Sequence, residues 1–278
     1  MKKTRIGTKK KKTRRENFEK FNTKLIIYEK IPKLKNGVLI EGLPGIGFVG
    51  KLAAGYLVNE TNAKKVADLY SPYFPHQVLI QNDSTIKMLK NEIYLLRTKK
   101  RDVLILVGDV QPVTSRSQYE VMNYILNFFS KLGGKTVFTL GGYSIGIIKD
   151  NPNVLCAVTD KKLLDKYKKI EGISPAKEGS IIGAAGLLIG LGKLKGMEGI
   201  CLMGETHGSY IDHKAAKSIL KILSKILEIK IDTKKMEERA KKNEAIIKKI
   251  ESETKREMGE IPGIFTPAKP PKDISYIR

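Results

Sequence analysis

Cysteine, histidine and tryptophan are scarce in this chain of 278 residues, which contains two, three and none of them. Cys156 and Cys201 each lie in an apolar, strand-like run, a setting typical of buried free thiols in a reducing cytoplasm. His207 and His213 flank the segment GSYID, and their spacing from each other and from Cys201 matches no zinc-binding pattern. The sequence therefore predicts no metal site and no cofactor.

Long apolar runs are also missing. The nearest to one, IIGAAGLLIGLG at 181–192, is shorter than the ~18 residues of a membrane span and is rich in glycine. The first residues lack the apolar segment of a secretory signal. We therefore expect a cytoplasmic protein that does not have a membrane as a partner.

Acidic residues are few relative to basic ones: 29 Asp and Glu stand against 52 Lys and Arg, for a net charge of +23. Much of the excess lies in a tail that has nine basic residues between Lys2 and Arg15 and no acid. Because this tail has no apolar periodicity, we predict that residues 1–22 are disordered and attract nucleic acid non-specifically. Specific reading of nucleic acid would need base-stacking aromatic side chains on a suitable fold, and the sequence has no such element.

The most distinctive motif is a glycine-rich stretch, VLIEGLPGIGFVGKLAAGYLV, at 38–58. Gly45, Gly47 and Gly50 spell G-x-G-x-x-G, the dinucleotide-binding fingerprint, and Asp68 follows near the expected distance. This motif directs backbone N–H groups from a helix N-terminus at phosphate. The alternative is that the glycines form a tight strand-to-helix turn and let the helix pack closely on a sheet.

A second frame of the same stretch resembles a phosphate loop. Gly45 to Gly50 followed by Lys51 reads G-x-x-x-x-G-K. Leu52 comes next, however, where such a loop needs a Ser or Thr hydroxyl for magnesium. The stretch thus satisfies each of two nucleotide motifs only in part.

The spacing of the candidate catalytic residues gives little support for an active site. Ser209, His207 and Asp212 have the residue types of a hydrolytic triad, but they crowd into one turn, whereas triad members usually come from separate segments. Glu205 and Asp109 follow strand-like runs, where capping or loop hydrogen bonding is the favoured role. We therefore predict a protein with no catalytic residues.

Strand-like and helix-like segments alternate along the chain, which predicts an α/β fold with a mostly parallel central sheet. The run DVLILVGD at 102–109 is continuous and apolar, as in a strand buried on both faces. The runs between 77 and 97 indicate an antiparallel insertion. A helix at 115–132 has Thr114 as its predicted N-cap and a stop at Gly133. The other predicted strands are 38–41, 65–70, 136–140, 154–159 and 199–204, and the other helices are 46–59, 160–169, 180–192 and 212–228.

The C-terminal part changes character after the amphipathic helix at 212–228. We predict a core domain over 23–231, a charged stalk helix over 232–257 and a flexible docking tail over 258–278, which contains four prolines. The stalk carries a narrow apolar seam of coiled-coil type with one polar member. Either this seam pairs with another chain or the helix lies on its own domain. The seam consists of Met236, Ala240, Asn243, Ile247 and Ile250.

Several separate segments of the sequence, within roughly residues 36–250, have the order and spacing of segments found in one protein family. The sequence resembles the archaeal branch of the proteasome assembly chaperone family. The resemblance implies a non-catalytic three-layer α/β sandwich, distantly similar to nucleoside phosphorylases, that forms homo-oligomers and binds the α-subunits of the proteasome core particle through C-terminal tails. The segments are EGLPGIGFVGKLAAGYLV (41–58), YFPHQVLI (73–80), LVGDVQP (106–112), TLGGYSIG (139–146), GSIIGAAGLLIGLGKLKGMEGICLMGET (179–206) and YIDHKAAKSILKIL (210–223).

By the same resemblance, Tyr276, Ile277 and Arg278 are the partner-binding residues. Proteasome-ring binders often end in a hydrophobic residue, tyrosine and any residue. Here Tyr276 is third from the end instead of second, and Ser275 precedes it. This departure bears on ring opening more than on docking, because a terminal carboxylate beside an aromatic ring still suits a lysine-containing pocket.

Two other functions remain open on the sequence alone. One is a nucleotide- or carboxylate-dependent enzyme, ligase-like or phosphorylase-like, that uses the loop from Gly45 to Gly50. The other is a polyanion-binding protein that acts through its N-terminal tail.

Overall fold

A computed structural model describes residues 21–234 and 236–238 of the chain. These residues form a nine-stranded sheet, a separate two-stranded sheet and five α-helices. The strands are β1 (Lys24–Ile27), β2 (Val38–Gly42), β3 (Lys64–Tyr70), β4 (Val78–Ile80), β5 (Ile86–Met88), β6 (Asn91–Arg97), β7 (Asp102–Gly108), β8 (Thr136–Ser144), β9 (Val154–Val158), β10 (Ile173–Pro175) and β11 (Glu198–Thr206). The α-helices are α1 (Val49–Thr61), α2 (Ser115–Lys131), α3 (Lys161–Tyr167), α4 (Ala184–Leu194) and α5 (His213–Leu227).

The large sheet is parallel at its centre and mixed at its margins. Its strand order is β1-β3-β6-β7-β2-β8-β11-β9-β10. The central strands β7, β2, β8 and β11 are parallel to one another. Antiparallel pairings add β6, β3 and β1 on one side and β9 on the other, and β10 then pairs with β9 in parallel. The predicted α/β fold with a large central sheet is confirmed.

Helices cover both faces of this sheet. Because successive strand residues point to opposite faces, neighbours on β2 enter different cores. Ile40 packs in the core that includes α1 and α5, and Leu39 packs in the core that includes α2 and α4. The same alternation separates Phe138 from Val137 on β8. The molecule is thus the predicted three-layer sandwich, while its distant similarity to nucleoside phosphorylases stays a prediction.

Local capping explains where the long helices begin and end. The Thr114 side chain accepts a hydrogen bond from the Ser117 N–H at 3.3 Å, and the Ser117 hydroxyl accepts one from the Thr114 N–H at 2.9 Å. This reciprocal capping box starts α2 at the predicted position. Gly133 follows the helix with a φ of +86°, a left-handed conformation that glycine adopts easily. The helix near 180 starts later than predicted, at Ala184, because Gly183 turns the chain with a φ of +84°.

Two features of the fold were not predicted correctly. The short edge strands β1 and β10 were not predicted, because three or four residues give little periodicity. Within the predicted insertion, β4 and β5 pair only with each other, whereas β6 joins the large sheet.

The C-terminal residues that the structure describes fold back onto the core. Met236 has an exposed fraction of 0% and packs in the core that includes α1 and α5. Nearby, Lys217 of α5 forms an ion pair with Glu237 at 2.6 Å. The first predicted seam residue is therefore buried in its own chain. The other four, Ala240, Asn243, Ile247 and Ile250, lie outside the described residues, so the seam and the domain boundaries stay predictions.

The two cysteines are free and buried, as predicted. Burial raises the pKa of the Cys156 thiol to about 11 and that of Cys201 to about 12. Over the described part of the chain, no helix combines the length and the hydropathy needed to cross a bilayer.

Candidate functional site

The glycine motif forms a compact turn between β2 and α1. A short 3-10 helix, Ile46–Phe48, precedes α1. Gly47 has a φ of +60° and Phe48 a φ of +53°. The left-handed region costs a non-glycine residue roughly 1–2 kcal/mol, so the turn holds Phe48 under strain. Phe48 is 42% exposed and Ile46 is 50% exposed, so the turn presents two apolar side chains to its surroundings.

The glycines of the motif face protein atoms. A Cβ added to Gly50 would overlap the carbonyl oxygen of Leu140 on β8, and one added to Gly47 would lie 2.8 Å from the Thr206 hydroxyl. The Gly47 carbonyl accepts a hydrogen bond from the Asp212 N–H at 2.9 Å. Gly45 faces open space. Two of the three motif glycines therefore allow close packing of the loop and helix against the sheet, which is the alternative that the sequence left open.

Asp68, the acid of the predicted fingerprint, lies far from this loop. Its strand β3 is three strand spacings from β2, or roughly 14 Å. Its carboxylate accepts hydrogen bonds from the Tyr28 hydroxyl at 2.5 Å and from Lys90 at 2.6 Å, and it pairs with Lys65 at 2.8 Å. Although burial alone would raise the pKa of Asp68, the contacts with Lys65 and Lys90 lower it overall. Asp68 thus belongs to an ion network and is not placed to bind a ribose at the loop.

A buried acid lies directly below the loop. Glu41, near the end of β2, is 1% exposed. One of its carboxyl oxygens accepts a hydrogen bond from the Leu43 N–H at 2.8 Å, and the other has no partner among the described residues. Burial raises its pKa to about 8, so the carboxyl group is largely neutral at pH 7. We did not predict Glu41 as a notable residue, although an acid at the end of an otherwise apolar strand was the available signal.

The residue types of a triad do not form one. Asp212 accepts a hydrogen bond from the Ala215 N–H at 2.9 Å and so caps α5. The His207 ring lies 5.0 Å from the Tyr210 ring, centroid to centroid. Ser209 is exposed in the loop between them. Among the residues that the structure describes, no three His, Cys, Asp or Glu side chains are close enough together to hold a metal ion.

Two acids at strand ends have structural roles, as the favoured interpretation predicts. Glu205 accepts a hydrogen bond from Lys149 at 2.7 Å and another from the Asn153 N–H at 3.1 Å. Asp109 lies 3.5 Å from the Lys87 ammonium group. Both side chains therefore tie loops to the ends of the sheet.

Exposed apolar side chains surround the glycine turn at the carboxyl edge of the sheet. They come from the loop after β2, from the end of β8 and the loop after it, and from the loop between β11 and α5, and they are each between 42% and 57% exposed. Exposed apolar side chains gathered at one edge of a sheet are typical of interaction sites. We call this group the apolar rim; its members are Ile46, Phe48, Tyr143, Ile147, Ile148 and Ile211.

A second apolar surface lies on the two-stranded sheet. In the register of β4 with β5, Val78 pairs with Met88 and Ile80 with Ile86. These four side chains share one face, and Ile80 and Ile86 are 79% and 69% exposed. A lone two-stranded sheet is marginally stable in water. This unit, which we call the ribbon (78–88), therefore has the properties of a surface completed by another protein.

The predicted partner-binding residues Tyr276, Ile277 and Arg278 lie outside the described residues. The apolar rim and the ribbon were not predicted from the sequence. Their apolar residues were visible as strand-like or loop-flanking runs, but a sequence does not show which apolar residues remain uncovered.

Comparison with known proteins identifies similar chains. The model of the PAC2 family matches residues 39–251. The crystal structure of PbaB from Pyrococcus furiosus, described as an archaeal proteasome activator, is 44% identical, with a TM-score of 0.79; the match covers 83% of this chain and 99% of that chain.

Two further matches extend the comparison. An uncharacterised protein of Methanocaldococcus jannaschii is 39% identical over 249 residues, which is 89% of this chain and 94% of that protein. The structure of Pyrococcus furiosus PbaA, described as an archaeal homologue of proteasome-assembly chaperone, is 24% identical with a TM-score of 0.70, and the match covers 86% of this chain and 96% of that chain. At that identity, the similarity to PbaA shows the shared fold.

Proposed function

The chain belongs to the PAC2 family, and from that premise we propose that it is a non-catalytic chaperone or activator of the proteasome that binds the α-subunits of the core particle. The similarity to PbaB supports the proteasome as partner, because it extends over nearly the whole length of that protein. The observation that carries the non-catalytic part is the glycine turn: Gly47 and Gly50 pack against protein, and the exposed residues on either side of Gly47, Ile46 and Phe48, are apolar.

The contact with the ring is proposed to reside in the C-terminal residues Tyr276, Ile277 and Arg278. A terminal carboxylate and an aromatic ring suit capture in a pocket that contains a lysine. When several chains associate, their tails face several equivalent pockets at once, and the effective concentration of each tail at the ring rises. Weak individual contacts can then hold the complex together.

Self-association is proposed to use the ribbon. The segment 77–89 carries one acid and one base, Asp83 and Lys87, in a chain whose net charge is +23. Two copies repel each other least where they are neutral, so a neutral apolar face suits contact between copies. The seam of the stalk helix beyond Met236 would add to the same assembly.

Deletion of residues 258–278 tests the role of the tail. We expect the truncated chain to keep its fold by circular dichroism and to lose binding to archaeal proteasome α-subunits in native mass spectrometry. In full-length protein, Tyr276→Ala should weaken binding at least tenfold, whereas the matched Ser275→Ala should have little effect. Retention of α-subunits at full strength by the truncated chain would refute the role of the tail.

A double substitution in the ribbon tests self-association separately. Ile80→Ser with Ile86→Ser should lower the number of subunits measured by light scattering, because it removes the two most exposed apolar side chains of the ribbon. The control is Ile182→Ser, which removes an 89% exposed isoleucine elsewhere and should leave the subunit number unchanged. An unaltered assembly in the double variant would contradict the proposal.

Calorimetric titration tests the enzyme alternative. We expect neither ATP nor NAD to bind more tightly than a Kd of ~10 μM. Tighter binding that Gly47→Ala abolished while the protein stayed folded would favour a nucleotide-dependent enzyme instead.

A further inference from the structure

A cavity of about 690 Å³ opens at the amino edge of the central sheet, opposite the apolar rim. The loops that precede β2, β7, β8 and β11 form its wall. We call it the basic pocket, because it is lined by five cationic side chains and one acidic one: Lys35, Lys99, Lys100, Arg101, Lys135 and Glu198.

Few of these cations are neutralised within the protein. Lys100 pairs with Glu228 at 2.6 Å. Glu198 accepts a hydrogen bond from the Thr136 hydroxyl at 3.2 Å. Within the described part of the chain, no carboxylate forms an ion pair with Lys99, Arg101 or Lys135. Five positive charges around one cavity repel one another, and an anion in the cavity would relieve that repulsion.

Hydrogen bonds join two of the loops that form the wall of the basic pocket. The Lys35 N–H donates to the Asp102 carboxylate at 2.9 Å, and the Asp102 N–H donates to the Lys35 carbonyl at 2.8 Å. The Asn36 side chain donates to the Lys100 carbonyl at 3.0 Å, and the Lys35 ammonium group donates to the Lys99 carbonyl at 3.2 Å. These bonds hold two basic loops against each other. The like charges are therefore kept together by the backbone, which prepares the pocket for an anion at little ordering cost.

The lining also indicates the class of anion. The described residues that line it include no aromatic ring, and the one large apolar residue among them, Val38, is buried. A nucleobase would therefore find no stacking partner, and a peptide would find no apolar pocket for its side chains. The volume is within the range for small ligands and exceeds the needs of a single phosphate. We propose that the basic pocket binds a small anion with several closely spaced phosphate groups.

Two probes have several closely spaced phosphate groups: tripolyphosphate, which is linear, and inositol hexakisphosphate, which is built on a ring. In calorimetry with the full chain, at least one should bind saturably and raise the melting temperature, because a ligand of the folded state stabilises it by mass action. Hydrogen exchange should slow in peptides that cover 98–101 and 135–136. Orthophosphate and hexaglutamate should bind at least tenfold more weakly than the better probe.

A double substitution assigns the binding to the pocket. Lys99→Ser with Arg101→Ser should weaken the affinity at least tenfold. The matched control, Lys161→Ser with Lys162→Ser at the exposed start of α3, removes the same charge and should change the affinity less than twofold. The N-terminal tail is present in both variants, so its contribution cancels. The melting temperature without ligand should not fall in the pocket variant. Equal losses in both variants, absence of saturable binding, or preference for hexaglutamate would overturn the proposal.

Discussion

The two edges of the central sheet carry opposite chemistry. At the carboxyl edge, the loops after β2, β8 and β11 expose the apolar rim above one buried acid, Glu41. At the amino edge, the loops before the same strands surround the basic pocket with lysine and arginine. Because parallel strands all have their carboxyl ends at one edge of the sheet and their amino ends at the other, one sheet supports two unrelated surfaces. We propose that the two edges serve two kinds of partner, a protein at the carboxyl edge and a small anion at the amino edge.

The largest expected effect is a pH dependence of the free energy of unfolding, caused by the buried acid at the carboxyl edge. The folded state raises the pKa of Glu41 from 4.5 to about 8, so folding favours its neutral form. The associated stability is fully present below pH 4.5 and is lost as the pH rises through about 8. Over that window the wild type should lose on the order of 4 kcal/mol relative to Glu41→Gln, as urea denaturation at several pH values would measure.

A matched acid at the amino edge sharpens this comparison. Glu198 is exposed, so Glu198→Gln should keep the pH dependence of the wild type. If Glu41→Gln and the wild type had parallel stability profiles from pH 5 to pH 8, the buried carboxyl would not be neutral in the folded state.

Close packing of the glycine turn should produce the next largest effect. Gly50→Ala places a methyl group on the Leu140 carbonyl, and we expect a loss of about 3 kcal/mol in the free energy of unfolding. Gly45→Ala is the control in the same turn, because its methyl group meets open space. Chemical denaturation distinguishes the two. Similar losses in both variants would mean that the motif does not act through helix–sheet packing.

Removal of one exposed ring should have the smallest effect on stability. In Phe48→Asn, the new residue tolerates the left-handed conformation better, which offsets the lost apolar contacts. We expect the free energy of unfolding to change by less than ~0.5 kcal/mol. If the apolar rim takes part in protein contacts, the same variant should weaken complexes seen by native mass spectrometry. The corresponding substitution at the other edge, Lys99→Ser, should leave those complexes intact.

Most elements of the fold could be predicted because their signals are local. The capping box at Thr114 and the apolar run of β7 depend on neighbours in sequence, and both were predicted correctly. The short strands β1 and β10 were missed because their pairing partners, β3 and β9, supply what their own residues do not.

The candidate site was less predictable for a physical reason. Nucleotide-binding turns and turns that only pack a helix on a sheet share the same pattern of glycines in sequence. The strand order separated Asp68 from the turn, and the turn directed Gly47 and Gly50 at Thr206 and Leu140. Neither the separation of Asp68 from the turn nor the contacts of Gly47 and Gly50 can be derived from the spacing of these residues along the chain.

The sequence by itself determined the alternation of strands and helices, the family resemblance and the burial of both thiols, because periodicity and local composition govern each of them. Only the tertiary structure decided which apolar residues stay exposed, where Glu41 becomes neutral and which lysines surround one cavity. Those properties depend on contacts between segments far apart in the chain, and such contacts exist only once the sheet has assembled.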